Sequence, residues 1–286
     1  MSVRRKRRDR PVEDAAGPQV PDLATKGGRL EILDDTELAR IHDVSVTLLA
    51  EFGMSDAPLV VAELVCAAGG RMTEEQRLTF PPDLVARALA GLRRDVALCG
   101  RLPEHDMALG DGAVHVGSGG AAPMILNIDS DTYRETTLGD LYDAARLVDA
   151  LPHVQFFARS VVARDMDTDS LLDINTCYAA LAGTTKHVFV SAAFPEHVAD
   201  IAKMCHIVAG GREAFEARPF LSLNINHVAP PMRFSPDAAE VLVAAARAGL
   251  PCMVNTFGQM GASSPVTVAG CLAQSNAETT PIAYAN

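Results

Sequence analysis

The sequence predicts an α/β protein built on a parallel β/α barrel, on three observations. Short apolar runs recur at His153–Arg159 (HVQFFAR), His187–Ser191 (HVFVS), Phe220–Asn226 (FLSLNIN) and Pro251–Asn255 (PCMVN). One helical stretch separates each run from the next, which is the pattern of strands laid parallel in one sheet. Polar or small residues close the runs, and parallel barrels of the TIM type carry their chemistry at those strand ends. An earlier run, Ala113–Ser118 (AVHVGS), is similar in composition but stands in hairpin territory.

Taken in order, residues 1–30 are rich in Arg, Pro, Gly and Asp without periodicity and read as a disordered basic tail. Residues 31–136 read as a mixed α/β cap. There Leu38, Ile41, Val44, Ser45, Leu48, Leu49 and Phe52 fall at helical spacing within Asp35–Phe52, and Gly53 ends that helix. Pro58–Ala68 is a second helix stopped by Gly69-Gly70, Leu78–Phe80 a short strand, and Pro82–Leu92 a third helix. From Asp95 the pattern becomes short strands with Gly-rich turns, and Asn127–Arg134 reads as a hairpin turning at Ser130-Asp131.

The barrel repeat fills 137–286. Thr137 with Asp140 resembles a capping box, and Leu138, Leu141, Ala145 and Val148 form the apolar face behind it. Further helices are expected over Ser170–Ala182, from Pro195 to Gly210-Gly211, from Ser235-Pro236 to Gly249, and from about Pro265. Pro281–Asn286 (PIAYAN) reads as one more strand. That makes about five strands where a closed barrel needs eight, so an incomplete, truncated barrel is expected, with an open edge that favours a homo-oligomer.

Bulk properties narrow the function. The first ten residues carry a charge of +5 against −11 for the whole chain, so the remainder bears −16 and is unsuited to nucleic acid. The tail itself could be a nucleic-acid arm, a localisation signal or solvated chain; without aromatics for stacking, solvated chain is the reading kept. It follows that deleting residues 1–25 should leave the melting temperature unchanged, and a fall of several degrees would show that the tail packs. No segment approaches the ~20 apolar residues a membrane span requires. Six scattered cysteines without a CxxC pair read as reduced thiols in a cytoplasmic protein, and the eight histidines show no metal-binding spacing.

Several segments together resemble the trimethylamine methyltransferase family of corrinoid-dependent enzymes. They are Val114–Pro123 (VHVGSGGAAP), Thr137–Pro152, Ser160–Asp165 (SVVARD), Ala182–Lys186 (AGTTK), Val208–Gly211 (VAGG) and Gly258–Glu278, the last being the most distinctive. The resemblance spans roughly residues 30 to 280 and implies a TIM barrel that moves a methyl group from a methylamine or quaternary amine to the cobalt of a partner corrinoid protein. Family members acting on trimethylamine carry a pyrrolysine; relatives without it use betaine-type amines, which the resemblance implies for this chain. It also implies that the corrinoid is carried by the separate partner and that none is bound by this chain alone. Such chemistry needs little acid–base machinery, because catalysis is mainly positioning.

The strand ends then supply candidates. Asn224, Asn226 and His227 close one strand and Asn255 the next; their neutral groups could orient a carboxylate-bearing substrate, or cap loop backbone. Phe257 could face a methylammonium as a cation–π partner, or plug the loop. Arg159 could pair with a substrate carboxylate, or with Asp165 or Asp167. Gln259 and Met260 could touch ligand or corrinoid, or merely pack the loop. Gly119 and Gly120, in a Gly-rich run that lacks the context of a phosphate loop, would let a corrinoid approach the backbone. His115 reads as structural, and Lys186 lies at the wrong strand end for a Schiff base. No catalytic residue is assigned. A truncated, inactive fragment with at most a binding role, or an unrelated TIM-barrel lyase, are the alternatives.

Overall fold

A computed structural model describes residues 31–93, 96–110 and 112–281. The basic tail and most of the final PIAYAN run lie outside these residues. Asp34 opens α1 (Asp35–Thr47) with a capping box: its carboxylate accepts the Glu37 N–H at 2.8 Å, and the Glu37 carboxylate accepts the Asp34 N–H at 2.9 Å. The helix continues as a single π turn, Leu48–Phe52, and stops at Gly53, whose φ of 67° lies in the left-handed region. A Cβ at Gly53 would meet the Leu78 carbonyl oxygen at 2.5 Å, so glycine is required there twice over. Then follow α2 (Leu59–Ala67), the antiparallel pair β1 (Arg71–Met72) and β2 (Leu78–Thr79), and α3 (Pro82–Gly91).

Two further antiparallel hairpins come next: β3 (Val96–Leu98) with β4 (Met107–Leu109), and β5 (Met124–Asn127) with β6 (Thr132–Glu135). The second turns through 128–131 with Asp131 at φ 51°, where the sequence places it. The repeat then runs α4 (Leu138–Ala150), β7 (Phe156–Ala158), α5 (Asp169–Gly183), β8 (His187–Val190) and α6 (Pro195–Ala209). It continues with a short α7 (Arg212–Ala217), β9 (Leu221–Ile225), α8 (Pro236–Arg247), β10 (Cys252–Val254) and α9 (Val268–Thr279). The capping box at Thr137 is present and reinforced, since Arg134 grips Asp140 with two bonds of 2.7 and 2.6 Å. That ion pair holds the Asp140 carboxyl well below the usual carboxylate range.

The four repeat strands form one parallel sheet in the order β10-β9-β8-β7. Among the described residues this sheet is open and does not close into a barrel. The AVHVGS run does not turn back as a hairpin. Parallel bridges Gly117↔Phe156 and Ala122↔Val161 lay its end and the following residues along the free side of β7. Gly117 permits this approach, because a Cβ there would stand 2.1 Å from the Phe156 ring.

Alternate residues separate the two faces of the sheet. Val188, Val190, Leu221, Leu223 and Ile225 join Leu141, Ile201, Cys205 and Val241 from the helices in the main core. Phe156, His187, Phe189, Ser222, Asn224 and Asn255 belong to the other, inner face. There Phe156 and His187 meet Phe189 edge-on, and His187 bonds the Ser222 hydroxyl at 2.9 Å. A second core joins the N-terminal layer to the loop after β9, through Leu49, Met54, Leu78, Phe80, Val228, Met232 and Phe234.

Candidate functional site

The two ends of the sheet differ in chemistry. At the N-terminal end the β3–β4 hairpin is tied down: the Arg101 N–H donates to Thr185 O at 2.7 Å, and Cys99 O pairs with His187 Nδ1 at 2.9 Å. The AGTTK segment serves this end as structure. Gly183 packs so close to Ala145 that a Cβ would stand 2.6 Å from its side chain. Asp149 accepts the Thr184 hydroxyl at 2.8 Å and the Thr185 N–H at 2.7 Å. The Lys186 ammonium donates to the carbonyl oxygens of Val148, Leu151 and Val154, each at 2.7 Å. Fully engaged at this end, Lys186 offers nothing to a Schiff-base lyase.

The C-terminal end is polar and more open. Asn224 on β9 and Asn255 after β10 share the inner face, and the Asn255 amide donates directly to the Asn224 side-chain oxygen. Asn226 and Gln259 are exposed, and their side chains bond none of the described residues. Phe257 (60% exposed) and Met260 stand in the loop after β10, on the open edge of the sheet. Gln259 O accepts the N–H groups of Ala262, Ser263 and Ser264 at 3.0 Å, which folds that loop into a compact turn. Gly119 and Gly120 lie at the opposite edge, beyond β7. Open space surrounds the Cβ position of Gly119, and that of Gly120 faces Ser160 O at 3.5 Å. The two sets named for the corrinoid thus occupy the same end of the sheet but its two edges.

His227 and Arg159 stand differently. His227 is 1% exposed and turned inward, its ring against Phe234 and its Nε2 at 2.9 Å from Glu278 O. Burial lowers its pKa to about 4, so the ring is neutral at pH 7. Since a carbonyl only accepts, Nε2 carries the proton, and Nδ1 is left without a partner among the described residues. Arg159 is half-buried, and strand alternation puts it on the helix side with Phe157. Its charged neighbour there is Asp173 of α5, not Asp165 or Asp167, and burial pulls the guanidinium below its ordinary pKa. Asp165 instead accepts the Leu138 N–H at 2.9 Å at the start of α4.

Two buried polar groups here escape sequence reasoning. Asp173 accepts the His197 Nδ1–H at 2.7 Å and the Ala193 N–H at 2.6 Å, fixing the loop after β8 to α5 and α6. Glu278, on α9, accepts from Thr256 at 2.5 Å, Met232 N–H at 2.9 Å and Gln274 at 2.8 Å. The spacing of Gln274 and Glu278 on the face of Ala273 and Ala277 was the available signal. His115, by contrast, is a structural histidine as its setting suggested, held by Gln155 and Ala108 O. All six cysteines are free thiols, and burial pushes Cys252 up to about 12. Among the described residues, no helix is long and apolar enough to cross a membrane, and no three His, Cys, Asp or Glu side chains cluster to hold a metal.

Fold and site together define a parallel α/β protein whose sheet is sealed at one end and presents neutral amides at the other. The family described as "Trimethylamine methyltransferase (MTTB)" matches residues 1–286, and the chain belongs to it. Over 254 residues it is 29% identical to the trimethylamine methyltransferase MttB of Desulfitobacterium hafniense, covering 88% of this chain and 51% of that protein. It is 24% identical over 250 residues to a glycine betaine methyltransferase of the same species, covering 87% and 52%. With the trimethylamine methyltransferase MttB1 of Methanosarcina mazei it shares 27% over 261 residues, covering 89% and 52%. The chain spans about half the length of these relatives.

Proposed function

We propose that this chain takes part in transferring a methyl group from a betaine-type quaternary amine, or from trimethylamine, to the cobalt of a corrinoid carried by a separate protein. Its relatives are named for trimethylamine and glycine betaine, and the observation that carries the reading is the Asn224–Asn255 pair on the inner face at the strand ends. Reduced cobalt supplies the nucleophile; the polypeptide holds the cation and excludes water. Neutral amides suit that task, since they orient a carboxylate without repelling the adjacent ammonium. Phe257 offers an exposed ring face for the cation, whereas Arg159, on the helix side beside Asp173, is left out of the substrate contacts. Open space at the Gly119 Cβ position and the exposed side chains of Phe257 and Met260 support the approach of a flat macrocycle at this end of the sheet.

A TIM-type barrel belongs to the same proposal, with β7–β10 and the strip beside β7 as five of its eight strand positions. So do a cytoplasmic location and a homo-oligomer. The test is methyl transfer to added Co(I) corrinoid. Asn224→Ala, Asn226→Ala, Asn255→Ala and Gln259→Ala are each expected to lower it about ten-fold or more, through loss of a substrate hydrogen bond. Transfer left intact by all four changes would remove the strand ends from the mechanism.

A further inference from the structure

We propose that Glu278 is a positioning residue that locks the loops after β9 and β10 to each other, and so fixes where Asn255, Phe257 and Gln259 stand. Glu278 is 0% exposed, in the last turn of α9. One carboxylate oxygen, Oε1, accepts the Met232 N–H at 2.9 Å, which belongs to the loop after β9. The other, Oε2, accepts the Thr256 hydroxyl at 2.5 Å, next in sequence to Asn255. The Glu278 main-chain oxygen takes the His227 Nε2–H at 2.9 Å, adding a second tie to the β9 loop. Gln274, one turn earlier, bonds Glu278 Oε1 at 2.8 Å and Ser263 O at 2.8 Å, so the far end of the Gly-rich turn is tied in as well.

Two features set this apart from ordinary helix packing. Ala273 and Ala277, both buried, already give α9 an apolar face, and none of the donors to the Glu278 carboxylate is a cation. Burying a carboxylate among neutral donors is costly, and a side chain with a single polar atom could tie one loop to a helix without that cost. What the carboxylate adds is two equivalent strong acceptors on one rigid plane, each holding a different loop. If one loop shifts, the plane turns and the bond to the other weakens. Coupling of the loops is therefore built into the group.

The effect on methyl transfer rests on the function proposed above; the coupling of the loops does not. In the full chain, hydrogen exchange would be followed at 228–234, at 255–264 and at β8 as internal reference. Glu278→Ala is expected to raise exchange about ten-fold in both loops and leave β8 unchanged, because the loops open locally rather than with the whole fold. Glu278→Gln should restore both, since its amide can accept from Met232 and Gln274 and donate to Thr256 Oγ. Thr256→Val cuts only one arm, yet should loosen 228–234 as well as 255–264. With Co(I) corrinoid and glycine betaine, Glu278→Ala should raise KM more than it lowers kcat, and Glu278→Gln should reverse that. The proposal is overturned if Thr256→Val loosens 255–264 alone, if exchange rises uniformly through the fold, or if Glu278→Gln is as loose as Glu278→Ala. Coupled loops in a chain that transfers no methyl group would uphold the positioning and sink the substrate reading.

Discussion

Replacing Lys186 by Met is expected to lower the melting temperature by about 10 °C while leaving methyl transfer per folded molecule unchanged. Lys186 is 3% exposed, and its ammonium meets the carbonyl oxygens of Val148, Leu151 and Val154 at 2.7 Å each. These carbonyls end α4 and lead into β7, where the negative end of the helix dipole favours a cation. Burial draws the ammonium below its ordinary pKa, and the nearby Asp149 opposes that shift, so the charge is held at some cost. Met keeps the stem and its packing but takes a charged donor from three carbonyls, of which Val148 O and Leu151 O keep the N–H groups of Leu151 and Val154 at 3.2 Å each. Each hydrogen bond to a charged group is worth about 1.5–3 kcal/mol, and an orphaned acceptor costs about 1–3 kcal/mol. Allowing for the ammonium's own desolvation and for water reaching the outermost carbonyl, the net loss is about 3 kcal/mol, as for a broken buried ion pair. A domain of this size shifts by roughly 2–4 °C per kcal/mol. Calorimetry decides the point: an unchanged melting temperature would mean that water replaces the ammonium without penalty. Transfer should survive, because Lys186 stands at the start of β8 and the Asn224–Asn255 pair at the opposite end of the sheet.

Elements that carry their own signals were legible in the sequence. Thr137 with Asp140, Pro195, and Ser235-Pro236 each start a helix, and Gly53 and Gly210 each end one through a positive φ. Between them the apolar runs could only be strands. What escaped depends on partners remote in sequence. Gly117 is legible as a strand residue only beside Phe156, 39 positions on, whose ring leaves no room for a side chain. The short helix α7 hides between Gly211 and Pro219 in six residues without a periodic face. Asp173 and His197 look like surface residues of two helices until packing buries both. His227 shows the same limit from the other side: the end of β9 places it at the mouth of the sheet, yet the ring turns in toward Glu278. Strand position fixes which end a residue occupies; the turn after the strand decides where its side chain goes.

Between pH 6.5 and pH 4 the protein is expected to lose about half of its stability, with His187 and His227 as the main carriers. Burial lowers both from the ordinary 6.5 to about 4, while a backbone carbonyl at each ring, Cys99 O and Glu278 O, works the other way. His187 bridges Cys99 O and the Ser222 hydroxyl at 2.9 Å each, a neutral arrangement with every ring nitrogen satisfied. The sign follows from linkage. Above pH 6.5 neither the folded nor the unfolded chain protonates these rings, and their contribution is complete. As pH falls below 6.5 the unfolded chain takes up protons that the folded chain refuses, so stability drops until about pH 4 and then levels. At ~1.4 kcal/mol per tenfold change in proton affinity, each ring accounts for about 3 kcal/mol, against a total of roughly 5–15 kcal/mol for a domain. Asp140, held low by Arg134, releases its own contribution only below the ordinary carboxylate value of 3.8, so the two effects occupy separate windows. Denaturant unfolding at pH 7, 5.5 and 4.2 measures the slope. His187→Gln and His227→Gln should each lower stability at pH 7 and flatten the curve by about half, because an amide has no proton to gain. A slope as steep in both variants as in the parent chain would assign the acid sensitivity to other groups.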